Sequence, residues 1–144
     1  MSGSVSAALP LILLTGGAFG LYSAARLWRW RNTQMALFSA GVFGAALLAL
    51  ALLFPQVRAG MLPVFGMTAR GSAFLQADAT ALRLSAIALA LGVAVALYSG
   101  AYMSQDRRFI TYYPLLLLVV AGMMGMLMAT DLFNLYLFCE LMSI

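Results

Sequence analysis

Long runs without a charged side chain are the feature that most constrains how this sequence can fold. Residues 33–54 and 110–130 contain no Asp, Glu, Lys or Arg, and a helix of about 20 apolar residues crosses a hydrocarbon core about 30 Å thick. The whole chain is 65% hydrophobic and 8% charged, whereas a water-soluble domain carries about 25% charged residues. The sequence therefore predicts an all-α integral membrane protein.

The apolar runs predict about five transmembrane helices over residues 1–144, the last of them incomplete, as the N-terminal part of a longer polytopic domain. The predicted spans are, approximately, residues 5–25, 33–54, 78–102, 110–130 and 131–144. The second span is predicted to end before Pro55, because proline disrupts a helix interior. We interpret the loop that follows, residues 55–77, as extramembrane, with a short hairpin around residues 62–65 and 72–75. The loop is long for a helix connection, so we expect it to pack on a neighbouring element.

Arginine positions predict the orientation of the spans. Trp28 and Trp30 alternate with arginines directly after the first span, which is typical of an anchor at the membrane interface; contact with a lipid headgroup or a partner subunit is the alternative. The positive-inside rule places this connection and the Arg107–Arg108 connection in the cytoplasm, with the N-terminus outside. No basic amphipathic arm is present, so we expect no binding to nucleic acid.

Several single residues carry local predictions. Asp78 is placed to cap the third helix, and Arg83, one turn later, is predicted to snorkel to the interface rather than to pair with an acid on another helix. Gly16 and Gly20 form a G-x-x-x-G spacing that lets another helix approach closely. We interpret the single Cys139 as a small packing residue. With no His and one Cys, no metal site is predicted.

Glu140 is the principal candidate for function, because it is a carboxylate inside an apolar helix. It lies nine residues after Asp131, or roughly 13 Å along a helix. If Asp131 is at the membrane surface, Glu140 is near the bilayer middle, where a charge costs at least ~2.5 kcal/mol on insertion scales. We therefore interpret Glu140 as an ion or proton site that faces other helices, as opposed to a buried pair that only anchors helix packing.

Four other polar residues of the last helix are possible supporting groups. Tyr136 is one turn before Glu140 and Ser143 is three residues after it, so helical geometry places all three on one face. Asn134 is predicted to bond across helices. Asp131 is interpreted as an N-cap, and a position at a proton or cation entrance is the alternative.

The fifth helix is predicted to be incomplete. Residues 131–144 span roughly 21 Å as a helix, which is shorter than the hydrocarbon core. The sequence also stops on apolar residues without a cap or a basic anchor, and unsatisfied carbonyl groups are costly in lipid. We therefore expect this chain to be the N-terminal part of a longer polytopic protein.

The string Asp131-Leu132-Phe133-Asn134-Leu135-Tyr136, followed by Phe138 and Glu140, resembles a known family. Weaker matches are Leu97-Tyr98-Ser99 and Tyr112-Tyr113-Pro114. Together they are similar to the N-terminal portion of the antiporter-like membrane subunits. This family includes the L, M and N type subunits of complex I (NADH-quinone oxidoreductase), the D-type component of Mrp antiporters and relatives in membrane-bound hydrogenases.

The resemblance implies a function and a role for one residue. In this family, a glutamate at the position of Glu140 pairs with a lysine on a later helix. This sequence has no lysine, so the partner would lie beyond Ile144. The resemblance implies a proton-translocating subunit of a respiratory complex in the cell (inner or plasma) membrane, with other membrane subunits, lipid, and protons or sodium as partners.

Two other functions stay open from the sequence. One is a sodium/proton antiporter subunit of the Mrp type, or a hydrogenase membrane subunit, and the other is a small membrane scaffold. No flavin, nucleotide or iron–sulfur motif is present, so no cofactor is expected in this chain. Whether the assembled protein is an enzyme is uncertain from these residues; the resemblance favours a membrane subunit of a redox-driven proton translocase.

Overall fold

The computed structural model describes residues 2–27, 32–60, 64–67, 73–103 and 109–143, which form five helices and a two-stranded hairpin. In chain order the elements are α1 (Ser2–Leu27), α2 (Asn32–Arg58), β1 (Val64–Met67), β2 (Ala73–Gln76), α3 (Ala79–Tyr102), α4 (Phe109–Met128) and α5 (Leu132–Ser143). Four helices are long and apolar enough to cross a membrane, and α5 is a shorter apolar helix. The predicted all-α membrane class with about five helices is confirmed.

Helices α1 to α4 form a bundle in which each helix packs on the next, and α1 also packs on α4. Helix α5 packs chiefly on α4, at the edge of the bundle. The predicted interface anchor at Trp28 and Trp30 and the turn at Arg107 and Arg108 lie outside the described residues. The predicted orientation in the membrane stays a prediction.

The bundle core follows a heptad spacing. On α3 the buried residues recur at alternating steps of three and four positions: Leu82, Ser85, Leu89, Gly92, Ala96 and Ser99. This spacing is that of helices crossing at a small angle, with side chains of one helix fitting between those of its neighbour. Small and polar residues are frequent on this seam, so helix packing here depends on close backbone approach.

One glycine lies under a larger side chain at each of two helix crossings. A Cβ atom at Gly92 would come within 2.9 Å of the Phe43 ring, and one at Gly17 would come within 2.7 Å of Val42. Gly16 and Gly20 have no atom near the corresponding position. The prediction that the Gly16–Gly20 face receives a helix is therefore not met within the described bundle, where α2 approaches Gly17 instead.

Helix α2 extends past Pro55, so the predicted end before this residue is wrong. The Ala59 amide donates to the Pro55 carbonyl at 3.0 Å, which continues the helical pattern. Pro55 has no amide to donate to the Ala51 carbonyl, so the helix continues past it with one backbone bond fewer. The helix ends at Arg58, and the turn that follows contains Gly60, whose φ of 79° is a conformation that glycine adopts readily.

The predicted hairpin is confirmed, with its strands shifted by one or two residues. Strands β1 and β2 are antiparallel, and Phe65 pairs with Leu75. The hairpin packs on α1 and α4, so this loop is held against the bundle of its own chain. It lies at the end of the bundle where α4 turns into α5, because Leu75 also bridges to Ala129.

Asp78 caps α3, as predicted. Its Oδ1 accepts the Ala81 amide at 2.6 Å, and a side-chain cap of this type is worth roughly 0.5–2 kcal/mol. We expect Asp78→Ala to lower the free energy of unfolding in detergent by about 1 kcal/mol, and Asp78→Ser to keep most of the stability, since serine also caps. Thr80→Ala, at an exposed neighbour, is the control. An equal loss in Thr80→Ala would contradict the capping role.

Candidate functional site on helix α5

Helix α5 begins directly after Asp131, which occupies the N-cap position. The Asp131 carbonyl accepts the Leu135 amide at 3.0 Å, but its exposed carboxylate makes no hydrogen bond or ion pair with any described residue. The predicted N-cap is therefore correct in position and wrong in its side-chain bond.

Asn134 holds the first turn of α5 to the hairpin. Its Nδ2 donates to the Phe74 carbonyl at 3.1 Å, and the Thr130 hydroxyl donates to the same carbonyl at 3.3 Å. The prediction that Asn134 bonds to another helix is wrong, because strand β2 occupies that side of the turn. Asn134 is 1% exposed, and its Oδ1 has no partner among the described residues.

Two glycines of α4 form the surface that receives α5. A Cβ atom at Gly125 would overlap the ring of Phe138, and one at Gly122 would come within 3.1 Å of the Phe138 carbonyl and 3.3 Å of the Met142 Cβ. The two helices therefore meet at backbone distance, as is typical of small residues in membrane helices. This contact fixes which face of α5 is turned towards the bundle.

The opposite face of α5 carries the candidate residues. Tyr136, Glu140 and Ser143 are all exposed and share one face, as their spacing predicts. Cys139 is exposed on this side as well. Its predicted role as a packing residue is wrong within the described bundle, because the neighbouring Phe138 takes the position against α4.

Glu140 has no partner among the described residues. It forms no hydrogen bond or ion pair with them, and Tyr136 does not donate to it. It lies eight residues after the start of α5 at Leu132, or about 12 Å into the helix. A carboxylate at such depth on an otherwise apolar helix is costly in lipid unless another polar group faces it. The α5 surface around Glu140 is thus suited to receive polar groups from outside the described bundle.

A second polar cluster lies at the opposite end of the bundle and was not anticipated from the sequence. Asn32 Nδ2 donates to the Gly100 carbonyl at 2.8 Å, and the buried Tyr113 hydroxyl donates to Asn32 Oδ1 at 2.9 Å. Next to it, the Ser99 and Tyr112 hydroxyls are 2.9 Å apart. Ser99, Tyr112 and Tyr113 belong to the weaker family matches noted above, and each residue of the cluster stands near a helix end, where polar groups meet unpaired backbone atoms.

Ser85, on the heptad seam of α3, is fully buried, and its hydroxyl has no partner among the described residues. Among the residues that the structure describes, no three His, Cys, Asp or Glu side chains come together in a group that could hold a metal ion. Glu140 and its face of α5 are thus the candidate site that the fold presents.

Comparison with known proteins identifies sequence relatives of this chain. The chain is 30% identical to NAD(P)H-quinone oxidoreductase chain 5 of Synechocystis sp. over an alignment of 142 residues that covers 94% of this chain. It is 36% identical over 66 residues to NAD(P)H-quinone oxidoreductase subunit 5, chloroplastic, of Adiantum capillus-veneris, and 36% identical over 53 residues to the protein of the same name in Physcomitrium patens. These two matches cover 46% and 37% of this chain. No protein-family model matches the sequence.

The chain is much shorter than these relatives. It spans 21% of the Synechocystis protein, 9% of the Adiantum protein and 7% of the Physcomitrium protein. The four long apolar helices, together with the cyanobacterial relative, support a multi-pass membrane protein, as predicted. The homologues of this chain are NAD(P)H-quinone oxidoreductase subunits of type 5, and these partial matches agree with the N-terminal portion of the antiporter-like membrane subunit family that the sequence resembles.

Proposed function

We propose that this chain is part of a proton-translocating, antiporter-like membrane subunit of a complex I-type quinone oxidoreductase, in which Glu140 acts as an intramembrane carboxylate. One observation carries the proposal: Glu140 stands without a partner among the described residues, on the face of α5 that is turned away from α4. The printed names of the relatives support the type of complex. Other membrane subunits of that complex are the partners that the proposal implies.

The mechanism we infer is electrostatic gating. An ionised Glu140 stabilises the charged form of a lysine brought close to it, and separation of the two releases the proton of that lysine onward. The sequence itself has no lysine, so the partner belongs to another segment or another chain. A driving event, such as quinone reduction in a neighbouring subunit, biases the two arrangements by stabilising one of them more than the other.

The test is proton pumping by the assembled complex in membrane vesicles. Because about 1.4 kcal/mol of electrostatic stabilisation changes a protonation equilibrium tenfold, we expect Glu140→Gln to reduce pumping at least severalfold. Glu140→Asp retains the charge and should pump better than Glu140→Gln. Cys139→Ala, at the exposed neighbouring position, is the matched control and should pump normally. Complex assembly and the rate of NAD(P)H oxidation are measured in parallel.

Two outcomes would separate the alternatives. If Glu140→Gln reduces the amount of assembled complex while the assembled fraction pumps fully, Glu140 has only a packing role. If the protein exchanges sodium for protons without any electron donor, it functions as a cation/proton antiporter and the redox-driven proposal fails. Tyr136→Phe and Ser143→Ala, on the same face, test whether supporting hydroxyl groups contribute to transport.

A further inference from the structure

A small pocket opens between α2 and α3 at the hairpin end of the bundle. Its volume is about 100 Å³, against roughly 10–15 Å³ for a single water, so a group of the size of a phosphate fits. The pocket is lined by Phe54, Val57 and Arg58 of α2 and by Ala79, Leu82 and Arg83 of α3. None of these residues belongs to α5, so the pocket is distinct from the Glu140 site.

The pocket carries two positive charges with no described carboxylate to balance them. Arg58 and Arg83 are exposed, and neither forms an ion pair or hydrogen bond with a described residue. Asp78, the residue directly before α3, has its Oδ1 bound by the Ala81 amide. The hairpin segments outside the described residues, 61–63 and 68–72, contain no Asp or Glu. An anion from outside the chain is the natural counter-charge for this pair.

The apolar residues lie on the membrane side of the arginines. Arg58 is the last residue of α2, and Phe54, one turn before it, also lines the pocket. Arg83 is one turn into α3, and Ile87 follows one turn deeper with 58% of its surface exposed. Both helices therefore place a guanidinium at the mouth and an apolar side chain beneath it. This order of charge and apolar surface matches an amphiphile whose anionic headgroup lies at the interface.

We propose that this pocket binds the phosphate of an anionic phospholipid. The Arg58 and Arg83 guanidiniums donate to the phosphate oxygens, since the planar fork of arginine matches two oxygens of a phosphate. One acyl chain of the lipid extends from the pocket along the outer surface of α2 and α3, past Phe54 and the exposed Ile87. The site is separate from α5, so it stands or fails independently of the role proposed for Glu140.

The test is site-resolved lipid photocrosslinking on the intact membrane protein. The probe is phosphatidylglycerol with a diazirine on its acyl chain, and the crosslinked residues are identified by mass spectrometry. We expect crosslinks on α2 and α3 around Phe54 and Ile87. The double variant Arg58→Gln/Arg83→Gln should reduce their yield by about tenfold or more, because it removes both charge-assisted contacts. Arg26→Gln, at an exposed arginine of α1 that bonds only Tyr22 among the described residues, is the matched control and should leave the yield unchanged.

Further variants and competitors keep the test decisive. Arg58→Lys/Arg83→Lys should retain part of the yield, and circular dichroism checks that all variants stay helical. Unlabelled phosphatidylglycerol should compete, whereas phosphatidylcholine and millimolar inorganic phosphate should not. An unchanged yield in the double Gln variant would overturn the proposal. Full competition by inorganic phosphate would also overturn it, because it would assign the two arginines to a free anion.

Discussion

Gly125→Leu is expected to displace α5 from the bundle. A Cβ atom at this position would overlap the Phe138 ring, and the nearby Phe138 backbone, close to Gly122, limits how far α5 can shift to relieve the overlap. Overpacking of a close contact costs roughly 1–3 kcal/mol. Because α5 packs chiefly on α4, we expect most of this cost to appear as loss of the α4–α5 contact while α1 to α4 stay assembled.

Disulfide crosslinking between α4 and α5 measures this effect, with one cysteine on each helix and Cys139 replaced by alanine. Crosslinking should fall severalfold in Gly125→Leu. Gly41→Leu is the matched control, since nothing lies within 4 Å of the corresponding position on α2. Phe138→Ala combined with Gly125→Leu should restore part of the crosslinking, because it removes the ring that leucine meets. Normal crosslinking in Gly125→Leu alone would show that the two helices are not in close contact.

Asn32→Ala is expected to cause the largest loss of stability in the bundle core. It leaves both the Gly100 carbonyl and the Tyr113 hydroxyl without their partner, and Tyr113 is 0% exposed. Each buried polar group left unpaired costs roughly 1–3 kcal/mol. We therefore expect a decrease of about 2–4 kcal/mol in the free energy of unfolding, measured in detergent by denaturant titration.

A double-mutant cycle tests whether the two residues act through their shared bond. Tyr113→Phe alone leaves Asn32 Oδ1 unpaired and should cost about 1–3 kcal/mol, whereas the combination with Asn32→Ala should cost less than the sum of the two. Thr33→Ala, at the exposed next position, is the control and should stay within about 0.5 kcal/mol of the parent. Additive losses in the cycle would argue against the Asn32–Tyr113 bond.

The apolar runs were enough to predict the helices but not which side of each helix faces the core. On α3, Leu89 is buried and Leu91 is exposed, and hydrophobicity alone cannot separate them because lipid accepts leucine as well as a protein core does. The better signal is the repeat of small residues such as Ser85, Gly92 and Ser99. That repeat becomes informative only when the partner helix is known.

Turn and cap chemistry was more predictable than contacts between distant residues. The capping role of Asp78 follows from its position before an apolar run, and the hairpin follows from the glycines and prolines that bound it. In contrast, Asn134 was predicted to bond a helix, and only the docking of β2 beside Thr130 shows why it bonds Phe74 instead. Helical spacing alone places Tyr136, Glu140 and Ser143 on one face of α5, but the prediction that this face meets other helices is not met within the described bundle, where all three are exposed.

The Phe74 carbonyl connects the hairpin, which is predicted to lie outside the membrane, to the helix that carries Glu140. It accepts from both Thr130 and Asn134, and so joins the hairpin to the first turn of the helix that carries Glu140. An antibody fragment that binds the hairpin and separates β2 from the bundle must break both of these hydrogen bonds. Because the hairpin is predicted to lie outside the membrane, a soluble antibody fragment would reach it. Loss of the two hydrogen bonds would release the first turn of α5 from β2. The hairpin is therefore the place where a binder that cannot enter lipid can act on the Glu140 helix.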